Sequence, residues 1–377
     1  MTTVVALRVH DVHVRLERPF VTAVRRAQAI DVVLVEAVDS DGRSGWGEAA
    51  TSWRVTGESP ASVRAAVTGP LADAVTGAAP AEVDHWSAAL HHAVHVNSAA
   101  RAAVECAVLD LAARTTGIGF AELLSGFTGG APGPATVRTD MTLSAPDGPA
   151  QTEALLIRAQ ELAARGFGTL KLKVDGRTDT VDLLTRLRAA LGPGTVLRID
   201  ANQAWTAAAA VRTLRACEDA GVGLDLVEQP VAARDLAGLA EVTAAIDTPV
   251  LADESVWTVE DLALVIERHA ADLVNVKLAK TAGPLGALAV TAAAQAAGLE
   301  VLIGCMLEGT VGVTAAAALA AVTGRPGATH DLDAGLWLDG PSATGGARYE
   351  GDLVHLPAGP GLGVSAPGAR ATVGATR

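Results

Sequence analysis

Over the first 60 residues, apolar and polar side chains alternate with a period of two, the pattern of strands with one buried face. Residues 31–38 are rich in β-branched side chains, Asp39-Ser40-Asp41-Gly42 supplies a turn, and 44–49 returns as a hairpin partner. The period then changes to that of helices over 59–75, 81–95 and 98–115, with Gly117 ending the third. A Gly- and Pro-rich stretch at 126–134 predicts a domain boundary. From residue 135 a short apolar run, a loop and a helical segment repeat. The runs cover 136–143, 169–174, 196–200, 226–228, 250–253, 273–277, 301–304 and 328–331, with helices between them such as 149–165, 207–220, 259–268 and 284–297. Eight strands separated by single helices predict a parallel barrel rather than an open sheet. Residues 347–357 predict a strand pair that returns to the N-terminal domain.

Composition agrees with an α/β protein. Of 377 residues, 50% are hydrophobic and 3% aromatic, as expected for Ala/Val/Leu-rich helices on a buried parallel sheet. Lys+Arg total 29 against 42 Asp+Glu, a net charge of −13 with no long basic run, which argues against nucleic acid or an anionic membrane as partner. Cys106, Cys217 and Cys305 are odd in number and far apart, so they predict neither a disulfide framework nor a zinc ribbon. The N-terminus carries Arg8, His10, Asp11 and Arg15 where a secretory signal needs an apolar run, and 309–322 is too short to span a bilayer. The expectation is a cytoplasmic protein. His91 and His95 have helical zinc spacing but no third ligand nearby, and are expected on a surface helix.

Candidate chemistry lies where the strands end. The third to sixth predicted strands stop in Asp200, Glu228, Asp253 and Lys277, at intervals of 28, 25 and 24 residues, each about one βα repeat. Barrel active sites form at the C-terminal ends of strands, so these groups are expected to converge. An acid at a strand end also suits the start of the following helix, yet three on consecutive strands favour a shared cation. Oxygen ligands without His or Cys favour Mg²⁺ first and Mn²⁺ next. Lys171 and Lys173, two apart, point to one face of the second strand, opposite Lys277 across the barrel. A nearby cation or second lysine would lower an amine's pKa and make it a base. That layout suits proton removal from carbon next to a carboxylate: the metal stabilises the enediolate, one lysine takes the proton, and the opposite one returns it.

Lys171-Leu-Lys173, Asp200-Ala-Asn202-Gln203, Glu228-Gln229-Pro230, Ala252-Asp253-Glu254-Ser255 and Asn275-Val-Lys277 resemble the enolase superfamily, muconate-lactonising-enzyme subgroup. The resemblance covers nearly the whole chain, including Gly45-Trp46-Gly47-Glu48-Ala49. It implies an α/β fold, a modified (β/α)₇β TIM barrel over 129–340, with an α+β capping domain over 1–128 to which the segment 341–377 returns. It also implies Mg²⁺ (or Mn²⁺) on Asp200, Glu228 and Asp253, and Lys173 and Lys277 as bases. Lys171 would tune Lys173 and contact the substrate carboxylate, with Asn202 and Glu254 supporting the metal ligands. A homo-oligomer is implied too.

Within that subgroup, Asp331-Leu-Asp333 resembles the motif with which dipeptide epimerases hold a free ammonium, and Gly304-Cys305-Met306-Leu307 is similar to the same group. Arg25 lies where L-Ala-D/L-Glu epimerases carry an arginine for a side-chain carboxylate, with Arg26 adjacent. The loop 53–57 is expected to close over the site. The resemblance therefore implies a dipeptide epimerase acting on the α-carbon of the C-terminal residue. Its alternatives are a muconate cycloisomerase, an o-succinylbenzoate synthase, an N-acylamino-acid racemase, or a non-catalytic metal-binding relative.

Overall fold

A computed structural model describes residues 2–146 and 148–368, so the last nine residues of the segment 341–377 lie outside it. β1 (Val4–Val21), β2 (Arg26–Asp39) and β3 (Ser44–Ala50) form an antiparallel sheet in that order. The β2–β3 turn is held by the Asp39 carboxylate, which accepts from the backbone N–H groups of Asp41 and Arg43. Five helices follow: α1 (Pro60–Ala66), α2 (Ala72–Val75), α3 (Val83–Ala93), α4 (Ser98–Thr116) and α5 (Phe120–Thr128).

The single helix expected over 59–75 is broken. Ser59 starts it with a capping box, but Pro70 lacks an N–H and Gly69 sits at φ −118°, ψ −115°, leaving a π-turn over Val67–Leu71. α5 also extends into the stretch expected to be a linker from 126. α4 is buried without a break from Ala102 to Ala113 and lies directly on β3. Contact is close because Gly47 has no side chain: a Cβ there would meet the Ala103 carbonyl at 1.9 Å.

The second half alternates strand and helix. Its strands are β4 (Thr136–Thr139), β5 (Met141–Leu143), β6 (Thr169–Lys173), β7 (Val196–Asp200), β8 (Leu224–Glu228), β9 (Val250–Ala252), β10 (Leu273–Lys277), β11 (Glu300–Gly304) and β12 (Thr329–His330). The helices are α6 (Pro149–Ala164), α7 (Thr180–Leu191), α8 (Ala207–Asp219), α9 (Leu236–Ala245), α10 (Val259–Glu267), α11 (Pro284–Ala296) and α12 (Thr310–Thr323). Strands β5 to β11 pair in sequence order, all parallel. The ring closes through β12. The Asp331 N–H donates to the Ile303 carbonyl (3.0 Å), the Cys305 N–H donates to the Asp331 carbonyl (2.8 Å), and β12 pairs parallel with β4. The predicted strand 136–143 is interrupted at Asp140, whose N–H turns to the His330 carbonyl (2.8 Å).

The expected strand pair near the C-terminus forms as β14 (Arg348–Glu350) and β15 (Leu353–His355), after β13 (Ala343–Gly345). It does not join the capping sheet. β15 adds antiparallel to β4, whose other edge β12 occupies. Return contacts to the cap come later: the Leu362 N–H donates to Asp110 (2.6 Å), and Arg114 donates to the Val364 carbonyl (2.6 Å) at the start of β16 (Val364–Pro367). Among the described residues no helix is long and apolar enough to cross a membrane.

Two buried carboxyls join cap to barrel by capping barrel helices. Glu48 on β3 accepts from the N–H groups of Gly309 (2.5 Å) and Gly312 (3.1 Å) at the start of α12. Glu105 on α4 accepts from the Leu285 N–H (2.7 Å) at the start of α11. Burial pushes the Glu105 carboxyl up to about 8, with only partial relief from that N–H and from Arg101. The unfolded chain ionises this group near pH 4.5, so the wild type should lose stability as pH rises from about 4.5 to 8. Glu105→Gln keeps the acceptor without the charge. We expect it to match the wild type near pH 4 and to exceed it by about 2 kcal/mol at pH 8.5 in denaturant unfolding. A stability difference independent of pH would contradict this account.

Candidate active site

Parallel register sets the side-by-side order of the charged strand ends. Lys173 on β6 is opposite Asp200 on β7, which is opposite Glu228 on β8. Glu228 is paired with Leu251, and Asp253 directly follows β9. Neighbouring strands are about 4.8 Å apart, so the acids of consecutive strands are forced together. Asp200, Glu228, Asp253, Lys171, Lys173 and Lys277 are all buried.

Each acid faces an amine. Lys173 donates to Asp200. Lys277 Nζ lies 2.6 Å from Asp253 and 3.7 Å from Glu228. Lys171 Nζ lies 3.3 Å from Glu228 and also pairs with Asp331. Burial alone would lower the pKa of Lys171 and Lys277, but their acidic partners outweigh it and hold both ammonium groups well above the usual lysine range. Lys171 does lower the pKa of Lys277, as expected of a second lysine, but Asp253, Glu228 and Asp331 outweigh it. Burial, then Glu228, pushes the Asp200 carboxyl up to about 6. Burial also opposes ionisation of Glu228, yet Lys171, Lys277 and Lys173 hold it far below the carboxylate range. Glu254 is pushed up to about 8 by burial and then by Asp253 and Asp200.

Among the described residues no three His, Cys, Asp or Glu side chains converge on one point as a ligand set, because the carboxylates are turned to lysines. The donor chemistry still fits a hard divalent cation. The cluster's acids and amides offer oxygen ligands, and among the described residues four of these oxygens, Asn202 Oδ1, Asp253 Oδ1, Glu254 Oε2 and Asn275 Oδ1, are buried without a hydrogen-bond partner. Asn202 donates to Asp200 Oδ2 (3.2 Å) and Glu254 Oε1 (3.4 Å), linking two strand ends. Asn202, Gln203 and Gln229 all hold left-handed backbone, at φ 41°, 69° and 37°, so local strain is concentrated around the acids.

Above the cluster is a pocket whose open space, about 70 Å³, is small because lysine–carboxylate pairs fill its floor. Lys173 and Lys277 line it from strands separated by β7, β8 and β9, together with Asp253, Glu254 and Asn202. Lys171 lies beneath it, held by Glu228 and Asp331 and 2% exposed. One wall is Cys305, Met306 and Leu307; Val55 of the capping loop faces the pocket, while Trp53 is 74% exposed.

At the far end are Asp331 and Asp333. Asp333 accepts from the Thr142 N–H (2.7 Å) and Trp337 Nε1 (3.0 Å), and makes no side-chain cap to the 3₁₀ turn Ala334–Trp337 that it precedes. A purely helix-capping role is thereby excluded for Asp333. Arg25 lines the cap side; burial lowers its pKa, and among the described residues it has no ion-pair partner. Its guanidinium is 5.9 Å from the centre of the Phe20 ring, and Lys173 Nζ is 5.8 Å from the same ring. Arg26 is exposed. His91 faces Arg101 rather than any metal-ligand set.

Asn275, Thr142, Trp337 and Lys280 also build the site and were not singled out by spacing. Asn275 donates to Glu228 (2.7 Å). For Lys280 the available signal was its place three residues after Lys277, where one turn brings a side chain back to the strand end.

Residues 154–369 match the model of the enolase C-terminal domain-like family, and residues 4–125 match the mandelate racemase / muconate lactonizing enzyme N-terminal domain. The chain belongs to this family. It is accordingly an enzyme of the enolase superfamily, an isomerase. The L-Ala-D/L-Glu epimerase of Bacillus subtilis (strain 168) is 37% identical over 364 residues, covering 96% of each chain. A substrate-liganded structure of the L-Ala-D/L-Glu epimerase from Bacillus subtilis superposes with a TM-score of 0.91 at 36% identity, covering 97% of this chain and 99% of that one. A dipeptide epimerase from Enterococcus faecalis V583, solved with Mg and L-Leu-L-Tyr, has a TM-score of 0.88 at 32% identity, covering 96% and 99%. The capping-domain and barrel architecture of this chain is the one these enzymes share.

Proposed function

We propose that the protein is a divalent-cation-dependent dipeptide epimerase that inverts the α-carbon of the C-terminal residue. One observation carries the reading: a single pocket is lined by lysines from β6 and β10, floored by acids, and ended by Asp331 and Asp333. Asp200, Glu228 and Asp253 would hold the cation, with Asn202 and Glu254 bracing them. These are the charges that lysines now neutralise, so a cation and the ammonium pairs are alternative answers to the same repulsion. When bound, the ion supplies electrostatic stabilisation for the second negative charge that proton loss puts on the substrate carboxylate.

Lys173 and Lys277 carry the proton. One takes it from the α-carbon and the other, reaching from across the barrel, returns one to the opposite face. Asp331 and Asp333 provide the negative end that suits a free ammonium, with Asp333 oriented by Thr142 and Trp337. Cys305, Met306 and Leu307 give the substrate an apolar wall that excludes water. Lys171, pinned between Glu228 and Asp331, balances the charge at both ends of the site.

Arg25, half-buried and without an ion-pair partner among the described residues, favours an acidic side chain at the C-terminal position, as in the L-Ala-D/L-Glu type. Arg25→Ala should lower kcat/KM for L-Ala-L-Glu by roughly 100-fold while changing that for L-Ala-L-Leu less than about threefold. Equal losses on both would remove the side-chain assignment. The proposal as a whole is tested by incubating the Mg²⁺-loaded enzyme with dipeptide libraries in deuterated water. Deuterium uptake at the C-terminal α-carbon is expected by mass spectrometry; no uptake from any dipeptide or N-acyl amino acid would favour a non-catalytic relative.

A further inference from the structure

We propose that Lys280 is a positioning residue that fixes two of the three carboxylate-bearing strand ends at the centre of the site. The inference rests on Asp200, Glu228 and Asp253 being the cation's ligands. Lys280 is 2% exposed, and the turn that carries it is closed by its own N–H donating to the Lys277 carbonyl (2.9 Å). Its Nζ donates to the Asp253 carbonyl (2.5 Å) and the Asn275 carbonyl (2.8 Å). It also lies 2.6 Å from Asp253 Oδ1, an ion pair rather than an aligned hydrogen bond. Two hydrogen bonds to carbonyls and one ion pair thus surround the ammonium.

The other lysines of the cluster are different in kind. Lys171, Lys173 and Lys277 contact carboxylates, which can exchange an ammonium for another cation. Two of the three Lys280 partners are backbone carbonyls, which keep their need for a donor whatever the carboxylates bind. The ammonium therefore ties the chain after β9 to β10 at Asn275. Asn275 in turn donates to Glu228 Oε1 (2.7 Å), so the same anchor reaches a second acid through β10. A buried charge is costly, and its retention is explained by this bracing of both strand ends.

The test is Mn²⁺ affinity of the full-length protein, measured by calorimetry and by electron paramagnetic resonance without substrate. Coulomb's law alone predicts that removing a positive charge next to Asp253 tightens cation binding. Positioning predicts the reverse. Lys280→Met should weaken Mn²⁺ binding about 10- to 100-fold, with Lys280→Gln, which keeps one donor, in between. Leu187→Ala, a cavity variant in α7 away from the pocket, controls for general destabilisation and should leave Mn²⁺ affinity unchanged at a comparable fall in Tm. Unchanged or tighter binding by folded Lys280→Met overturns the proposal, as does equal weakening in Leu187→Ala. Failure of both Lys280 variants to fold overturns it too, by assigning the lysine to folding alone. Wild-type protein that binds no Mn²⁺ overturns instead the ligand assignment beneath it.

Discussion

Lys173→Ala and Lys277→Ala should each stop epimerisation, lowering it by about 10²- to 10⁴-fold, the range for loss of a positioned general base. The two losses should be asymmetric. With bases on opposite faces, each variant retains the amine for one epimer only. One variant should therefore still exchange the α-proton of the L,L-dipeptide with deuterated water but not that of the L,D form, and the other should do the opposite. Neither should convert one epimer into the other. Proton NMR of each purified epimer, with each variant loaded with Mg²⁺, reads this directly. If both variants exchange the same epimer, the amines do not work from opposite sides. The present pairing of Lys173 with Asp200 and Lys277 with Asp253 gives a further consequence: inversion should require the divalent ion, because without it both side chains stay engaged by carboxylates.

The second large effect is expected at the opposite end of the pocket. Asp331→Asn with Asp333→Asn should cut kcat/KM for dipeptides by roughly 10³-fold, since a buried ammonium would lose both charged acceptors. Turnover of an N-acyl amino acid, where no ammonium exists, should change far less. Asp331 also pairs with Lys171, so the single Asp333→Asn variant separates substrate recognition from loss of that internal pair. Its amide oxygen can still accept from Thr142 and Trp337, which keeps the wall in place. If the double variant loses N-acyl and dipeptide turnover alike, the pair is internal bracing. If the wild type prefers N-acyl amino acids or lactones, the racemase and cycloisomerase alternatives take precedence over the dipeptide assignment.

Much of this arrangement was determined locally and is therefore legible in the sequence. A strand turns successive side chains to opposite faces, so Lys171 and Lys173 had to share one. A βα repeat has a nearly fixed length, so acids at 200, 228 and 253 had to end consecutive strands. Other features depended on which distant segments meet. The strand expected over 136–143 breaks at Asp140 because the carbonyl of His330, 190 positions away, claims its N–H. The pair β14–β15 leaves the capping domain for the barrel because β4 offers an unfilled edge. No spacing rule could reveal that Asp253 is shared by Lys277 and Lys280, or that Lys171 is sealed under the pocket rather than facing it. Backbone periodicity decides which face of an element a side chain takes. Which buried charge then neutralises which is a long-range electrostatic balance, and only the closed barrel sets the distances that decide it.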